Sequence, residues 1–416
     1  MRIDALTLEG FRNYDRQALT FHHSCNVIYG ENAQGKTNLL EAMVYLSCGK
    51  SPRARADREL IGFDRDKAYI PGRMVRRDRD RREKPYRRGP MVSLSGGKRP
   101  GARADGELMG FAGERPYSRG KMFTRAGDSR REVGLFRGRR RKASVNGVPA
   151  KNNAALSDVL HTVFFSPEDL MLIREGAAAR RRFMDLSLCQ LRPRYGEALA
   201  EYHRLYEHKT RILRDSGDYP QLLATLPDFN RRLCQVGAVL IHYRARYCRA
   251  LAEYAAQAHY ECSGQREELE LRYQTVSTVH DPFLPQEQLF AALMEHQQSH
   301  EQAEIASRLC LSGPHKDDLE VLVNGRSARQ FCSQGQVRTA ALALKLADRE
   351  IHRNTMGEYP IMLLDDVLSE LDPRRQEYVL NRIAGGQVFI TCCENDRLDT
   401  LLSGKVFHIR GGEVLT

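Results

Sequence analysis

The sequence lacks the features that place a chain in or across a membrane. It contains no run of about 18 uninterrupted apolar residues, the length that a bilayer-spanning helix needs, and its mean hydropathy is -0.54. Its first residues, Met1 to Leu8, alternate charged and apolar side chains, whereas a secretory signal has a continuous apolar stretch. We therefore expect a cytoplasmic protein without a membrane partner.

Cysteine spacing typical of metal sites is also missing. The ten cysteines include no Cys-x-x-Cys pair and no Cys/His grouping of zinc type. Cys392 and Cys393 are adjacent, so both cannot easily bind one metal ion. In the reducing cytosol such thiols usually serve as small apolar side chains, and a structural metal site is not predicted.

The chain is long enough for two or three domains, since it has 416 residues and a domain typically takes about 100 to 200. Hydrophobic residues make up 41% and charged residues 28%. This globular balance excludes wholesale disorder and collagen-like repetition.

The net charge of +12 is concentrated in one quarter of the chain. Between Ser51 and Ala150 there are 28 Lys and Arg residues against 12 Asp and Glu residues, whereas the rest of the chain has 37 against 41. The basic pI is therefore weak evidence for a nucleic-acid partner.

The same quarter contains a tandem duplication, in which residues 43–90 align without gaps with residues 91–138. Two copies fall short of the three or more repeats that a solenoid needs. One copy carries 15 basic and 7 acidic residues, so the net charge without it would be +4. We interpret the Arg-rich stretch from Arg73 to Arg88 as a solvated loop rather than as a segment that binds in a DNA groove. The sequence does not say which copy lies in the fold.

The pattern of apolar residues predicts an α/β domain interrupted by helices. Strands are predicted at Ile3 to Leu8 and at Asn26 to Tyr29, with a helix from Lys36 onward. Helical periodicity dominates from Pro167 to about Ser307. Strand patterns then return at Leu319 to Val323 and Ile361 to Leu364.

These patterns suggest one sheet domain that is built from two separate segments of the chain, with a helical insertion between them. We predict an N-terminal part of the sheet domain at 1–165, a helical insertion at 166–307 and a C-terminal part at 308–416. The tandem duplication lies within the first of these segments.

A glycine-rich loop follows the second predicted strand and opens a helix. It reads Gly30-Glu31-Asn32-Ala33-Gln34-Gly35-Lys36-Thr37, which matches the phosphate-loop pattern GxxxxGKT. The two glycines let successive N–H groups point at one phosphate chain, Lys36 reaches the β- and γ-phosphates, and Thr37 can bind Mg²⁺. The alternative is an accidental Gly-rich turn, which the strand and helix context disfavours.

Two carboxylates end the predicted strand that starts at Ile361. Asp365 and Asp366 follow four apolar residues, which is the arrangement that holds Mg²⁺ in phosphate-loop enzymes. We predict Asp365 at the metal, across from Thr37, and Asp366 beside the attacking water. A buried strand with a polar end is the plainer interpretation, but two adjacent carboxylates would repel without a nearby cation.

A second anion site is predicted where another helix begins. Ser333-Gln334-Gly335-Gln336 combines a hydroxyl, a Gly N–H and the positive end of a helix. Since the chain already has a complete phosphate loop, this site would complete the nucleotide pocket of another subunit. The tetrapeptide is equally compatible with an ordinary N-cap.

Taken together, these motifs resemble the RecF family of recombination mediators, which are related to the SMC and ABC-type ATPases. The resemblance covers nearly the whole chain. Besides the loop, extended to Asn38, and the Ser333 tetrapeptide, the matching segments are Gly10 to Tyr14, Phe165 to Leu170, Arg181 to Asp185, Gly313 to Asp318 and Leu364 to Asp372.

The resemblance implies an ABC-type ATPase head, a mixed sheet flanked by helices, with a short helical arm. It also implies ATP and Mg²⁺ as cofactors, ATP-dependent homodimerisation and a weak DNA-dependent ATPase that times release from DNA. Arg12 would lie near the nucleotide phosphates, and residues 333–336 would act in trans as the signature motif. Ser369, Glu370, Leu371 and Asp372 would form the D-loop.

The partners implied by the resemblance are duplex DNA, junctions of single-stranded and double-stranded DNA, RecO and RecR, with loading of RecA at gaps during DNA repair, replication restart and the SOS response. The sequence departs from the family pattern at Lys316, where an Arg is typical. Cys392 and Cys393 follow Thr391, where the family often has Thr and ABC transporters have a switch His. The family is usually 48 residues shorter, which is the length of the duplicated segment.

Other ATPases of this broad class fit less well. A transporter subunit needs a true LSGGQ and a switch His. The LSGG at Leu94 to Gly97 belongs to the duplication and lies far from Asp365, so the signature is assigned to Ser333. A long-armed SMC or nuclease-partner ATPase needs hundreds of heptad residues. A non-hydrolysing ATP-binding role stays open, because Asp366 is shorter than the Glu of many ABC ATPases.

Overall fold

A computed structural model describes residues 1–54, 56–75, 128–150, 156, 160–393 and 404–415. The LSGG segment at 94–97 lies outside these residues. No helix in the described ranges combines the length and the apolar character needed to cross a bilayer.

The strands and helices are numbered in chain order. The strands are β1 (Arg2–Phe11), β2 (Tyr14–Thr20), β3 (Cys25–Tyr29), β4 (Lys67–Val75), β5 (Asp128–Phe136), β6 (Lys142–Val145), β7 (Val148–Pro149), β8 (Thr162–Phe165), β9 (Leu269–Gln274), β10 (Asp318–Val323), β11 (Arg326–Ser327), β12 (Ile361–Asp365), β13 (Val388–Cys392), β14 (Lys405–Arg410) and β15 (Glu413–Leu415). The helices are α1 (Lys36–Cys48), α2 (Ala177–Leu191), α3 (Pro193–Asp215), α4 (Leu226–Cys262), α5 (Gln286–Ser307), α6 (Ala328–Phe331), α7 (Gln334–Met356) and α8 (Pro373–Arg382). Short 3₁₀ turns lie at Asp57–Leu60, Pro167–Met171, Pro220–Thr225, Pro314–Lys316 and Leu368–Glu370.

A six-stranded sheet in the order β15-β14-β3-β13-β12-β8 carries the predicted phosphate loop and the predicted carboxylates. Its strands β14, β3, β13, β12 and β8 run parallel, and β15 joins antiparallel. The carboxyl ends of β3 and β12 therefore lie at the same edge, on either side of β13. The strands predicted near Asn26 and Ile361 are confirmed as β3 and β12.

Helices cover both faces of this sheet, as the alternation along β12 requires. Ile361 and Leu363 are buried in one cluster with Leu39 of α1. Met362 and Leu364 are buried in another cluster with Leu342 of α7. The fold is thus the predicted α/β class, a mixed sheet flanked by helices.

Four helices, α2 to α5, make up most of residues 177–307. This stretch also contains β9, which the helical periodicity did not predict. In β9, Leu269 and Leu271 are buried, and the strand pairs antiparallel with β10 across the predicted boundary at 307. A strand of six residues is easily missed between two long helices, since their 3.6-residue pattern dominates the surrounding window.

Among the residues that the structure describes, each copy of the duplicated segment contributes one strand. In the antiparallel sheet β2-β1-β4-β5-β6-β7, β4 comes from the first copy and β5 from the second. They pair over nine residues, from Lys67 opposite Phe136 to Val75 opposite Asp128.

The apolar residues explain this choice of strands. Val133 and Leu135 of β5 are fully buried, whereas the aligned residues of the first copy are Pro85 and Arg87. In β4 the buried Ala68 and Ile70 align with Pro116 and Ser118 of the second copy. The first copy thus supplies β4 and the second supplies β5, because in each case that copy has apolar residues at the buried positions.

Candidate nucleotide-binding site

The loop from Gly30 to Thr37 joins the end of β3 to the start of α1, as predicted. Gly30 and Gly35 have φ angles of 152° and 115°, a region that side chains with a Cβ rarely adopt. A Cβ at Gly30 would lie 2.2 Å from the carbonyl oxygen of Ile409, and one at Gly35 would lie 2.7 Å from the Asn13 side chain. Both positions therefore require glycine.

The side chain of Lys36 folds back over the phosphate loop. Its Nζ donates hydrogen bonds to the carbonyl oxygens of Gly30, at 2.5 Å, and of Glu31, at 3.0 Å. The side chain is buried, so the ammonium already lies inside the concave side of the loop. Glu31, Asn32 and Ala33 at the tip are exposed.

Asn13 and Asn38 hold the loop from outside. The Nδ2 of Asn13 donates to the carbonyl oxygen of Gln34 at 2.9 Å, and the Nδ2 of Asn38 donates to Oδ1 of Asn13 at 2.8 Å. Asn38 was predicted from the extended loop motif. Asn13 was not singled out as a site residue, because its contact depends on the turn between β1 and β2 meeting the loop.

The two ends of the site meet at Asp365. The hydroxyls of Thr37 and Thr391 both donate to Oδ1 of Asp365 at 2.9 Å. Burial raises the pKa of Asp365, and the Asp366 carboxylate adds to this, against hydrogen bonds from Thr391 and Thr37 that lower it. Within the described residues no Lys or Arg forms an ion pair with Asp365.

A hydroxyl and a carboxylate in contact fit the way proteins hold Mg²⁺. This ion usually takes one or two protein oxygens and completes its shell with waters and phosphate oxygens. The described residues contain no cluster of three or more His, Cys, Asp or Glu side chains that could hold a metal alone. Thr37 and Asp365 therefore suit a cation that arrives with a phosphate.

Asp366 lies one residue further along, in a left-handed conformation with φ 52°. Its backbone N–H donates to Oγ1 of Thr391 at 2.8 Å, and Ser369 Oγ donates to its carbonyl oxygen at 2.6 Å. Positive φ is uncommon for a residue with a Cβ. These bonds turn its carboxylate away from the strand and towards Cys393, whose Sγ lies 3.6 Å from Oδ2.

Cys393, the second of the two cysteines that follow Thr391, lies beside the phosphate loop. Its Sγ is 3.0 Å from Oδ1 of Asn32 and 3.7 Å from Nζ of Lys36. Desolvation and the Asp366 carboxylate raise the pKa of this thiol, so it is a neutral group at pH 7 and cannot supply the positive charge of a protonated His.

Arg12 forms its contacts beside α1. Its guanidinium makes two hydrogen bonds with the buried carboxylate of Glu41, at 2.9 and 3.0 Å, and a third with the carbonyl oxygen of Glu59. Arg53 also contacts Glu41, at 3.1 Å. Glu41 was not predicted, although a charged residue within an apolar helix signals a buried ion pair.

The Ser333 tetrapeptide forms the N-terminus of α7, the helix predicted to begin near Gln334. Ser333 Oγ accepts a hydrogen bond from the N–H of Gln336 at 3.3 Å, and Oε1 of Gln336 accepts one from the N–H of Ser333 at 2.9 Å. This is a capping box, so Ser333 is the N-cap of α7. Ser333 and Gln334 are nevertheless exposed, as a contact with another subunit requires.

The structure brings the tetrapeptide and the predicted D-loop together. Arg338 of α7 makes an ion pair with Glu370 at 3.0 Å. Arg375 contacts Asp372, the carbonyl oxygen of Gly335 at 3.2 Å and Oγ1 of Thr339 at 2.9 Å. Ser333, Gly335, Gln336 and Asp372 share a cavity of about 650 Å³. None of the residues that line it belongs to the phosphate loop.

Comparisons with known proteins give similar sequences over the whole chain. A family model described as an AAA domain matches residues 5–99. The chain is 34% identical to the DNA replication and repair protein RecF of Bacillus subtilis, with all of both chains covered. It is 33% identical to the protein of that name from Lachnoclostridium phytofermentans, over 98% of this chain and 99% of the relative.

Solved structures are also similar to this chain. One is described as the recombination mediator protein RecF-ATPrS in the RecFOR pathway. It has a TM-score of 0.80 and 29% sequence identity, and the similarity covers 99% of this chain and 97% of the other. A second, described as RecF-ATP in the same pathway, has a TM-score of 0.77.

Proposed function

Since this chain belongs to the RecF family of DNA replication and repair proteins, we propose that it is an ATP-dependent, DNA-binding recombination mediator of the cytoplasm. It binds ATP in the loop from Gly30 to Asn38. Two copies then meet on duplex DNA or on junctions of single-stranded and double-stranded DNA, with RecO and RecR as partners. Slow, weak ATPase activity ends the dimeric state.

The observation that supports this proposal most is the contact between Thr37 and Asp365. A Mg²⁺ ion held there would neutralise charge on the phosphate oxygens. Lys36, now bonded to two loop carbonyl oxygens, would transfer its hydrogen bonds to the β- and γ-phosphates. Asp366, beside the same edge, is the candidate to orient the attacking water.

The division of the site into two halves supports the proposed dimerisation. The cavity around Ser333 has an exposed hydroxyl and a helix N-terminus, which suit a phosphate, but lacks a phosphate loop. In the proposed dimer this half-site covers the ATP bound by the partner. Residues 369–372 would lie at the same interface. Glu370 forms an ion pair with Arg338 of α7, and Arg375 connects Asp372 to the carbonyl oxygen of Gly335.

Sedimentation velocity with ATP tests this proposal. We expect wild type to dimerise and Lys36→Met to stay monomeric without bound ATP. Asp366→Asn should bind ATP and persist as a dimer. Ser333→Arg should bind ATP as a monomer, because the new side chain blocks only the covering half-site. Lys142→Met, at an exposed residue of β6, is the matched control.

A mixture of two variants tests directly whether the two halves of one ATP site come from different subunits. Lys36→Met retains the half-site at Ser333, and Ser333→Arg retains the phosphate loop. Together they should form a heterodimer with one complete ATP site, although neither variant dimerises alone. The same oligomeric state for wild type and every variant with ATP would refute the shared pocket.

A further inference from the structure

A cavity of about 670 Å³ lies at the far end of α1 from the phosphate loop. The helix begins at Lys36 and ends at Cys48, 13 residues in all. At 1.5 Å per residue its two ends are about 18 Å apart. The cavity is an open cleft between the segment that follows α1 and the helices α2 and α3, so it is separate from the predicted ATP site.

One wall of this cavity carries three cations that lack a direct carboxylate partner. Within the described residues, Lys50, Arg181 and Arg182 form no ion pair. Their contacts go to neutral atoms: Lys50 Nζ lies 3.7 Å from Sγ of Cys189, and the two arginines donate to backbone carbonyl oxygens, Arg181 to that of Asp317 at 2.6 Å and Arg182 to that of Ser51 at 3.2 Å.

The other charges in the lining neutralise one another. Arg244 forms ion pairs with Asp185 at 2.9 Å and with Asp317 at 2.8 Å. Arg141 lies 3.5 Å from Asp57. Burial lowers the pKa of Arg181, and the neighbouring Arg244 lowers it further. The carboxylates of Asp317, Asp318 and Asp185 oppose these shifts without reversing them, so a bound anion would stabilise the Arg181 guanidinium further.

Another wall is aromatic. Tyr202, His203 and Tyr206 come from α3, and the ring of Tyr206 lies 4.7 Å from that of His315. Burial lowers the pKa of His315 to about 4, so this ring is neutral at pH 7. Its Nδ1 lies 2.8 Å from the Tyr202 hydroxyl and its Nε2 lies 3.0 Å from the carbonyl oxygen of Cys310, which suits a neutral ring that accepts at Nδ1 and donates at Nε2.

We propose that this cavity is a second site for a small phosphorylated ligand of the nucleotide class. The phosphate would lie against Lys50, Arg181 and Arg182, since unpaired guanidinium and ammonium groups bind phosphate oxygens strongly. A flat ring would lie against Tyr206 and His315. The volume falls in the range of about 300–1,000 Å³ that small-ligand sites occupy.

Calorimetric titration of the full-length Lys36→Met protein with AMP and with pyrophosphate tests the proposal, because this background disables the phosphate loop. We expect both probes to bind, and Lys50→Gln to weaken both at least tenfold. Tyr206→Leu should weaken AMP several-fold but leave pyrophosphate unchanged, since only AMP has a ring. Arg326→Gln, an exposed cation on β11, is the control and should change neither.

Thermal melts establish that each variant is folded, and Arg182→Gln replaces Lys50→Gln if the latter is not. The proposal is overturned if neither probe binds at millimolar concentration, or if binding is insensitive to both cation variants. It is also overturned if a single-stranded oligonucleotide binds in a Lys50-dependent way and AMP does not, since the cavity would then bind a DNA backbone.

Discussion

The hydroxyl of Thr37 lies 2.9 Å from the carboxylate of Asp365, a residue 328 positions further along the chain. The contact exists because β3 and β12 run parallel on either side of β13, which brings the start of α1 and the end of β12 to one edge of the sheet. A carboxylate that is buried there without an ion-pair partner should be stabilised by a bound cation.

Asp365→Asn is expected to separate metal binding from nucleotide binding. The amide oxygen can still accept hydrogen bonds from Thr37 and Thr391, but the charge is lost. ATP affinity measured with Mg²⁺ should fall at least tenfold, whereas affinity measured with EDTA should change little. Asp64→Asn, on an exposed loop, is the control.

The same variant should not destabilise the ligand-free protein. Burial raises the pKa of Asp365, so the folded state favours the uncharged form. We therefore expect an unchanged or higher melting temperature without nucleotide. Equal losses of ATP affinity with Mg²⁺ and with EDTA would show that Asp365 acts on the fold or on ATP directly.

Three deletions of equal length test how the duplication enters the fold. Removal of residues 76–123 retains both β4 and β5 and should preserve the melting temperature. Removal of 43–90 replaces Ile70 by Ser118 in the core, and removal of 91–138 replaces Val133 by Pro85. Each of the latter two should lower stability by several kcal/mol, because several buried apolar side chains are lost together.

The deletion of 76–123 also measures whether the extra basic residues touch DNA. The logarithm of duplex affinity falls with the logarithm of salt concentration in proportion to the number of phosphate contacts. Arg73 lies in β4, which corrects the loop interpretation at that residue, and Arg76 to Arg88 lie outside the described residues. We expect the same slope for the deletion and for wild type, since the sequence of the remaining stretch favours a solvated loop. A shallower slope for the deletion would assign phosphate contacts to that stretch.

The local motifs of the site and the position of Asp365 across from Thr37 could be predicted from the sequence, whereas the contacts of Thr391 and Asn13 could not. The phosphate loop, the two carboxylates and the start of α7 at Gln334 each depend on a short pattern with its own physical cause. Thr391 and Asn13 contribute through tertiary contacts with Asp365 and with the loop, which no local periodicity encodes.

The two copies of the duplicated segment differ at the positions that decide which copy forms each strand. Alignment of the copies pairs Val133 with Pro85 and Ile70 with Ser118. A strand that faces a core needs apolar residues at alternate positions, so these pairs distinguish the two copies at each strand. The strand β9 could not be predicted, because its six residues lie between two long helices and the helical periodicity of 167–307 dominates the surrounding sequence.

His315 should make the stability of the protein depend on pH. Its pKa is about 4 in the folded chain because the ring is buried, whereas an exposed His titrates near 6.5. Between these values the unfolded chain binds more protons than the folded chain, so stability falls as the pH is lowered through this window. The contribution of His315 between pH 7 and pH 5 is at most about 2 kcal/mol.

Urea unfolding of wild type, His315→Gln and His280→Gln at pH 7 and pH 5 measures this contribution. His315→Gln should be less stable at pH 7, because the contacts with Tyr202 and Cys310 change, but it should lose less free energy of unfolding on acidification. His280 is exposed, so its variant should behave as wild type. Other buried histidines shift the wild-type curve in the same direction, as burial lowers the pKa of His352 to about 3. The difference between the His315 variant and wild type is therefore the diagnostic quantity, and equal losses in both proteins would show that the His315 ring is not held in its neutral form.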